Sequence, residues 1–169
     1  MISMILYVGF IILADVLAAR WIIPLPFGLF VPAGVFAIAP IFTLRDSIHR
    51  KYGAKHVVIL IMIASVLSYG FSIVFGSPML GKVTIASVIA FIVSEYSDTL
   101  IYHLTRHQTW MNRVMKSNAV STFLDSIIFI GLAFGFVLPL IIGQYLVKML
   151  IAWITGLILS KTHEKTRHN

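Results

Sequence analysis

The chain has 169 residues, 59% of them hydrophobic and only 11% charged, with a formal net charge of +7. Soluble domains carry roughly a quarter charged residues, so this composition excludes an ordinary soluble domain and marks an integral membrane protein. The absence of cysteine excludes disulfides, thiolate metal sites and thiol catalysis.

A membrane-crossing helix needs about 20 mostly apolar residues. Six stretches fit, at roughly 2–19, 28–44, 57–76, 83–102, 119–138 and 140–160. They predict an all-α bundle of six transmembrane helices in a single domain over residues 1–169. The first run starts without a basic segment and contains Asp15, so it is expected to be a retained helix and not a cleaved signal. Pro24 and Pro26 end it. A basic loop follows the second span, and Gly76-Ser77-Pro78 forms a turn after the third. The longest polar stretch, His103 to Asn118, follows the fourth, and Pro139 with Gly143 marks a tight hairpin between the last two.

The basic residues set the orientation. Arg45, Arg50, Lys51, Lys55, Arg106, Arg113, Lys116, Lys161, Lys165 and Arg167 fall on the side of both termini, against Arg20 and Lys82 on the other; Lys148 lies inside a span. Ten against two predicts both termini in the cytoplasm. Topology therefore accounts for the high charge, and no nucleic-acid partner is implied. Trp110, Met111, Val114 and Met115 interleave with basic residues in the 103–118 loop, as in a segment lying on the anionic inner leaflet.

Five of the six carboxylates, Asp15, Asp46, Glu95, Asp98 and Asp125, lie within or at the edge of apolar runs. An ionised side chain in hydrocarbon costs at least a few kcal/mol, so such groups face a bundle interior. Ser87, Phe91, Glu95, Asp98 and Tyr102 wind down one face of the fourth span. Glu95 and Asp98 lie about 10 and 6 Å above its inner end, and Asp125 about 9 Å above the inner start of the fifth span. Three carboxylates thus share one depth on neighbouring antiparallel helices. Lys148, with Gln144 one turn away, supplies a counter-ion from the sixth span. Such a cluster binds a ligand with several hydrogen-bond donors, carries protons, or only fastens helices together. Phe91 and Tyr102 suit a planar heterocycle, although packing and an interfacial aromatic belt would explain either alone. Asp15 and Arg20, near the outer end of the first span, read as an interfacial pair or an outer gate. His49 with His56, and His103 with His107, sit in basic loops near no carboxylate but Asp46, so no metal is expected. No nucleophile–base–oxyanion arrangement is recognisable, so neither an enzyme nor a cofactor site is expected.

Lys82-x4-Ser87-x7-Glu95-x2-Asp98-x3-Tyr102 resembles the signature helix of the queuosine-precursor transporter family, also called the vitamin uptake transporter family. Asp46-x3-Arg50-x-Tyr52-Gly53, Ser117-x7-Asp125-Ser126-x2-Phe129 and Tyr145-x2-Lys148 resemble further blocks of that family, in order. The resemblance implies a six-helix inner-membrane importer of 7-deazaguanines, the cyano or aminomethyl compounds and queuine among them. It implies a fold similar to the substrate-binding subunits of energy-coupling-factor transporters. Ser87, Phe91, Glu95, Asp98, Tyr102, Asp125, Gln144 and Lys148 are then the substrate-binding residues. Energy source, homo-oligomerisation and an energising partner stay open. This chain departs from the family's pattern at Glu95, where some members carry glutamine, and at Asp15, where asparagine is expected.

Overall fold

The computed structural model describes the backbone of residues 2–108 and 110–165. It describes their side chains too, except at 39, 42, 43, 46, 47, 49, 50, 54, 102, 110, 111, 113, 114 and 155–165. The chain runs through α1 (Ile2–Arg20), a hairpin of β1 (Ile22–Pro24) and β2 (Phe30–Pro32), and then α2 (Ile38–Tyr52). It continues through α3 (Ala54–Val74), α4 (Pro78–Leu104), α5 (Trp110–Ala133) and α6 (Leu138–Lys165). Ile2–Arg20, Lys55–Val74 and Pro78–Ile101 are long and apolar enough to cross a membrane, and Leu138–Ile154 is a shorter apolar helix. The 19 residues of α1 rise about 28 Å, close to the hydrocarbon thickness of a bilayer. Apolar side chains also cover the outside of the bundle: Val66, Ile73 and Val74 on α3, Ile85 and Ile92 on α4, and Leu146 and Leu150 on α6 are exposed. Helices that are hydrophobic all round belong in lipid.

The second span differs from the sequence expectation. Residues 28–44 were expected to be one helix, yet α-helix begins only at Ile38 and runs on to Tyr52. Prolines 24, 26 and 32 lack the amide proton a helix needs, so the backbone pairs across a hairpin instead. Ile22 faces Pro32, Ile23 faces Val31 and Pro24 faces Phe30. The tip is closed by Leu25 donating to the Leu29 carbonyl at 2.8 Å, with Phe27 and Gly28 at φ of 64° and 71°. A 3-10 turn, Ala33–Ala37, then leads into α2. The shift turns most of the expected basic loop into helix, with Gly53 at φ 86° as the joint before α3.

The other boundaries have local causes. Ser77 caps α4 by accepting from the Leu80 amide at 3.4 Å, and Pro78 occupies its first turn, where a missing N–H costs nothing. The hairpin expected at Pro139–Gly143 lies instead at Phe134–Val137, with Gly135 at φ 86°. Pro139 is tolerated in the first turn of α6, leaving Gly143 inside that helix.

Two apolar clusters hold the bundle. One joins Val83, Ala86 and Ala90 of α4 to Phe129, Ile130 and Ala133 of α5 and to Leu140 and Ile141 of α6. The alanines let α4 and α5 approach closely, and these two form the most extensively packed pair. The other cluster joins Tyr7 of α1, Ile48 of α2, and Val57 and Ile61 of α3, with Phe91 against it.

The hairpin and the following turn are wedged between α1 and α6 by two glycines. A β-carbon at Gly34 would overlap the Ala14 carbonyl of α1, and one at Gly143 would overlap the Phe30 carbonyl of β2. Backbone cannot yield as a side chain does. We therefore expect Gly143→Ala and Gly34→Ala each to lower stability by about 1–3 kcal/mol. Gly9→Ala, with open space around it on α1, should leave stability unchanged or raise it. Thermal unfolding in detergent compares the three, and a Gly143→Ala protein as stable as Gly9→Ala would contradict the wedge.

Candidate functional site

A cavity of about 390 Å³ runs between the helices. Its volume falls in the range of small-molecule sites. All helices contribute to its wall, as does the 3-10 turn after β2 through Gly34 and Val35.

The 3.6-residue periodicity of α4 brings Ser87, Phe91, Glu95 and Asp98 to this wall, together with Val88 and Ser94. Helix α5 presents Ser117, Ser121, Thr122, Asp125 and Phe129, and α6 presents Gln144, Lys148 and Ala152. Seven of the eight residues singled out from sequence therefore line one space. The eighth, Tyr102, and Asp46 have side chains outside the described ones.

Four carboxylates face the cavity, and each is held differently. Asp125 is paired with Lys148 across α5 and α6, both side chains largely buried. The Lys148 ammonium also lies 5.9 Å from the centre of the Phe129 ring, within cation–π range. Glu95 accepts from Arg45 of α2 at 3.0 Å. Asp98 accepts from the Ser121 hydroxyl at a long 3.5 Å. Asp15 of α1 is 4% exposed and accepts from the Ser87 hydroxyl at 2.8 Å through Oδ1. Its Oδ2 is buried, with the Ser68 and Thr84 hydroxyls beside the same carboxyl. Counted as ionised, these acids exceed the two lining cations, so the cavity carries formal excess negative charge among the described residues.

The remaining polar groups divide by where their protons go. Ser65, Thr84 and Ser126 donate back to carbonyls of their own helices, at 2.8, 2.9 and 2.8 Å. Those hydroxyls are already occupied. Gln144 is 2% exposed and lines the cavity. Its amide offers both a donor and an acceptor there.

Three features escaped the sequence reading. Arg45 looked like a loop residue because the second helix was placed too early; helix α2 instead carries it into the cavity opposite Glu95. Asp15 is not an interfacial partner of Arg20, which is exposed; it is a buried acid bonded to α4. Its position near the end of an apolar run suggests the water boundary, but the 3-10 turn packs on α1 beside it, with Gly34 against Ala14 and Ala18. Ser121 and Thr122 have a signal in their helical spacing from Asp125. Among the described residues no group of three or more histidine or carboxylate side chains is placed to hold a metal ion.

The chain was compared with known proteins. No curated protein and no solved structure gave a match. Residues 32–160 match a family model described as "Putative vitamin uptake transporter". That stretch includes every cavity-lining residue from Pro32 onward, and with it the acid-bearing face of α4 and its partners on α2, α5 and α6. The chain is a multi-pass membrane protein that belongs to the vitamin uptake transporter family.

Proposed function

We propose that this protein imports 7-deazaguanines, the class of queuosine precursors that includes the cyano and aminomethyl compounds and queuine, across the cytoplasmic membrane. The observation that carries the reading is the acid-rich cavity. Glu95 and Asp98 of α4 face Asp125, Gln144 and Lys148, with Phe91 and Phe129 on the same wall. A guanine-like edge offers adjacent N–H donors, which a carboxylate accepts in pairs, and its flat ring suits an aromatic face. The sequence resemblance narrows the ligand to the deazaguanines. In this reading Ser87, Phe91, Glu95, Asp98, Tyr102, Asp125, Gln144 and Lys148 bind or orient it. On the same reading the six helices all span and both termini lie in the cytoplasm, which is the side that the excess of basic residues favours even without Arg45, now lining the cavity.

A second reading is favoured by the family description, which names vitamins. The protein would then be a vitamin- or purine-binding membrane subunit that transports only with an ATPase partner. Proteoliposomes containing this protein alone separate the two. Uptake of labelled 7-cyano- or 7-aminomethyl-7-deazaguanine, with guanine excluded and Glu95→Gln lowering the rate at least about tenfold, is the expected result. Binding without uptake would favour the partner-dependent subunit. Binding of neither compound by folded protein would require another cargo.

The Asp125–Lys148 pair gives an independent check. Removing one member of a buried pair leaves the other charge uncompensated, whereas removing both does not. Asp125→Asn and Lys148→Met should each lower stability by roughly 1–3 kcal/mol, less than a fully dry pair because the cavity admits water. The double variant should recover much of that loss in thermal unfolding while uptake stays impaired. Full recovery of uptake in the double variant would reduce the pair to a helix fastener.

A further inference from the structure

Residues 21–42 carry no charged, hydroxyl or amide side chain, and they include the whole hairpin between α1 and α2. A turn that faces water is normally built from polar residues with glycine and proline. Here Trp21, Ile22, Phe27 and Phe30 are exposed instead, Phe27 completely so at the tip. An exposed apolar patch of this kind marks an interaction surface.

Backbone chemistry narrows what covers it. The two strands pair only with each other, so the outer edge of each leaves amides and carbonyls for another partner. Prolines 24, 26 and 32 have no amide proton to offer those carbonyls. Unpaired backbone groups are not tolerated against lipid hydrocarbon. The side chains thus disfavour water, and the backbone disfavours hydrocarbon. Both demands are met at the boundary between headgroups and acyl chains, where aromatic side chains collect.

The position of the hairpin agrees. Gly34 lies against Ala14 and Ala18, about 3–9 Å short of the end of α1 at Arg20. The Phe30 carbonyl lies against Gly143, about 8 Å past the start of α6 at Leu138. The base of the hairpin therefore sits within two turns of the ends of both helices. Arg20 stands at its foot beside Trp21, exposed and without a carboxylate partner among the described residues. A long basic side chain there reaches lipid phosphates while its stem rests on apolar surface.

We infer that the hairpin is a membrane-interface anchor whose partner is the phospholipid headgroup–acyl boundary. Trp21, Ile22, Phe27 and Phe30 enter the acyl side, and Arg20 meets the phosphates. Pro32, Gly34 and Val35 follow the hairpin directly and line the cavity, so the anchor holds one part of the cavity wall at a fixed level in the bilayer, whatever the cargo.

The chain has no cysteine, so a nitroxide spin label can be attached at a single introduced one without other substitutions. Phe27→Cys and Ile22→Cys, each labelled and reconstituted in vesicles of phosphatidylcholine and phosphatidylglycerol, test the anchor. Val66→Cys on the apolar outer face of α3 supplies the lipid reference, and Lys51→Cys, exposed at the end of α2, the water reference. Collisions are measured with oxygen, which concentrates among acyl chains, and with a water-soluble nickel chelate. Labels at 27 and 22 should favour oxygen over nickel several-fold more than the label at 51, approaching the label at 66. A ratio at both positions equal to that at 51 would place the hairpin in water and overturn the assignment. Protection from both reagents, with spin–spin broadening, would show a second copy of the chain covering the hairpin and overturn it equally. Ile22→Cys alone decides between these outcomes if Phe27→Cys fails to fold.

Discussion

Holding four carboxylates in an apolar bundle is the constraint on which the rest of this structure depends. An ionised group facing hydrocarbon is costly, so each acid must face inward and find a cation, a hydrogen-bond donor or water. Asp125 finds Lys148, Glu95 finds Arg45, Asp15 finds Ser87, and Asp98 has a long contact with Ser121. These contacts join α5 to α6, α2 to α4, α1 to α4 and α4 to α5. The polar interior thus ties the bundle crosswise, with α4 in three of the four links. Lipid supplies no hydrophobic force between helices, so close packing and such polar links have to orient them.

The same constraint explains the division of labour among the hydroxyls. A serine or threonine in a span has a cheap solution, donating to the carbonyl one turn back on its own helix. Ser65, Thr84 and Ser126 take it. Ser87 instead reaches across to another helix, to the buried Asp15 of α1. Small side chains make that reach short. Ala86 and Ala90 sit on α4 beside it, and Gly34 lets the turn after β2 lie directly on α1.

Much of this was legible in the sequence, and the reason is periodicity. Ser87, Phe91, Glu95 and Asp98 fall at helical spacing in an unbroken apolar run, so their common wall follows from 3.6 residues per turn. Matching depths on antiparallel spans brought Asp125 to the same level, and a lone lysine in hydrocarbon had to seek an acid. Hydropathy averages a window, however, and cannot see hydrogen-bond bookkeeping. Residues 28–37 are apolar enough to resemble a span, yet Pro32 and Gly34 make them a strand and a turn. That displacement moved Arg45 out of a supposed loop and into a helix, which is why the partner of Glu95 could not be read. Asp15 reads as interfacial for the related reason that the 3-10 turn packed on α1 at Ala14 and Ala18 has no hydropathy signature.

The two ion pairs differ in a way that bears on how a ligand would be handled. Lys148 and Asp125 sit on helices joined by the short turn Phe134–Val137, and their side chains are 11% and 20% exposed. Arg45 and Glu95 are 24% and 38% exposed, and Arg45 rides on α2, which is attached through Gly53 on one side and the hairpin segment on the other. In the proposed reading, a donor-rich ligand that approaches Glu95 competes with Arg45 for Oε2, which Arg45 holds at 3.0 Å. Any share of the carboxylate it gains loosens the tie between α2 and α4, while the better-shielded pair keeps α5 and α6 together. Binding energy is converted into helix movement only where a ligand contact replaces an interhelical one, because a ligand indifferent to the two arrangements shifts nothing. Arg45–Glu95 is the more exposed of the two ion pairs, so in the proposed reading a ligand bound at Glu95 would bias the position of α2.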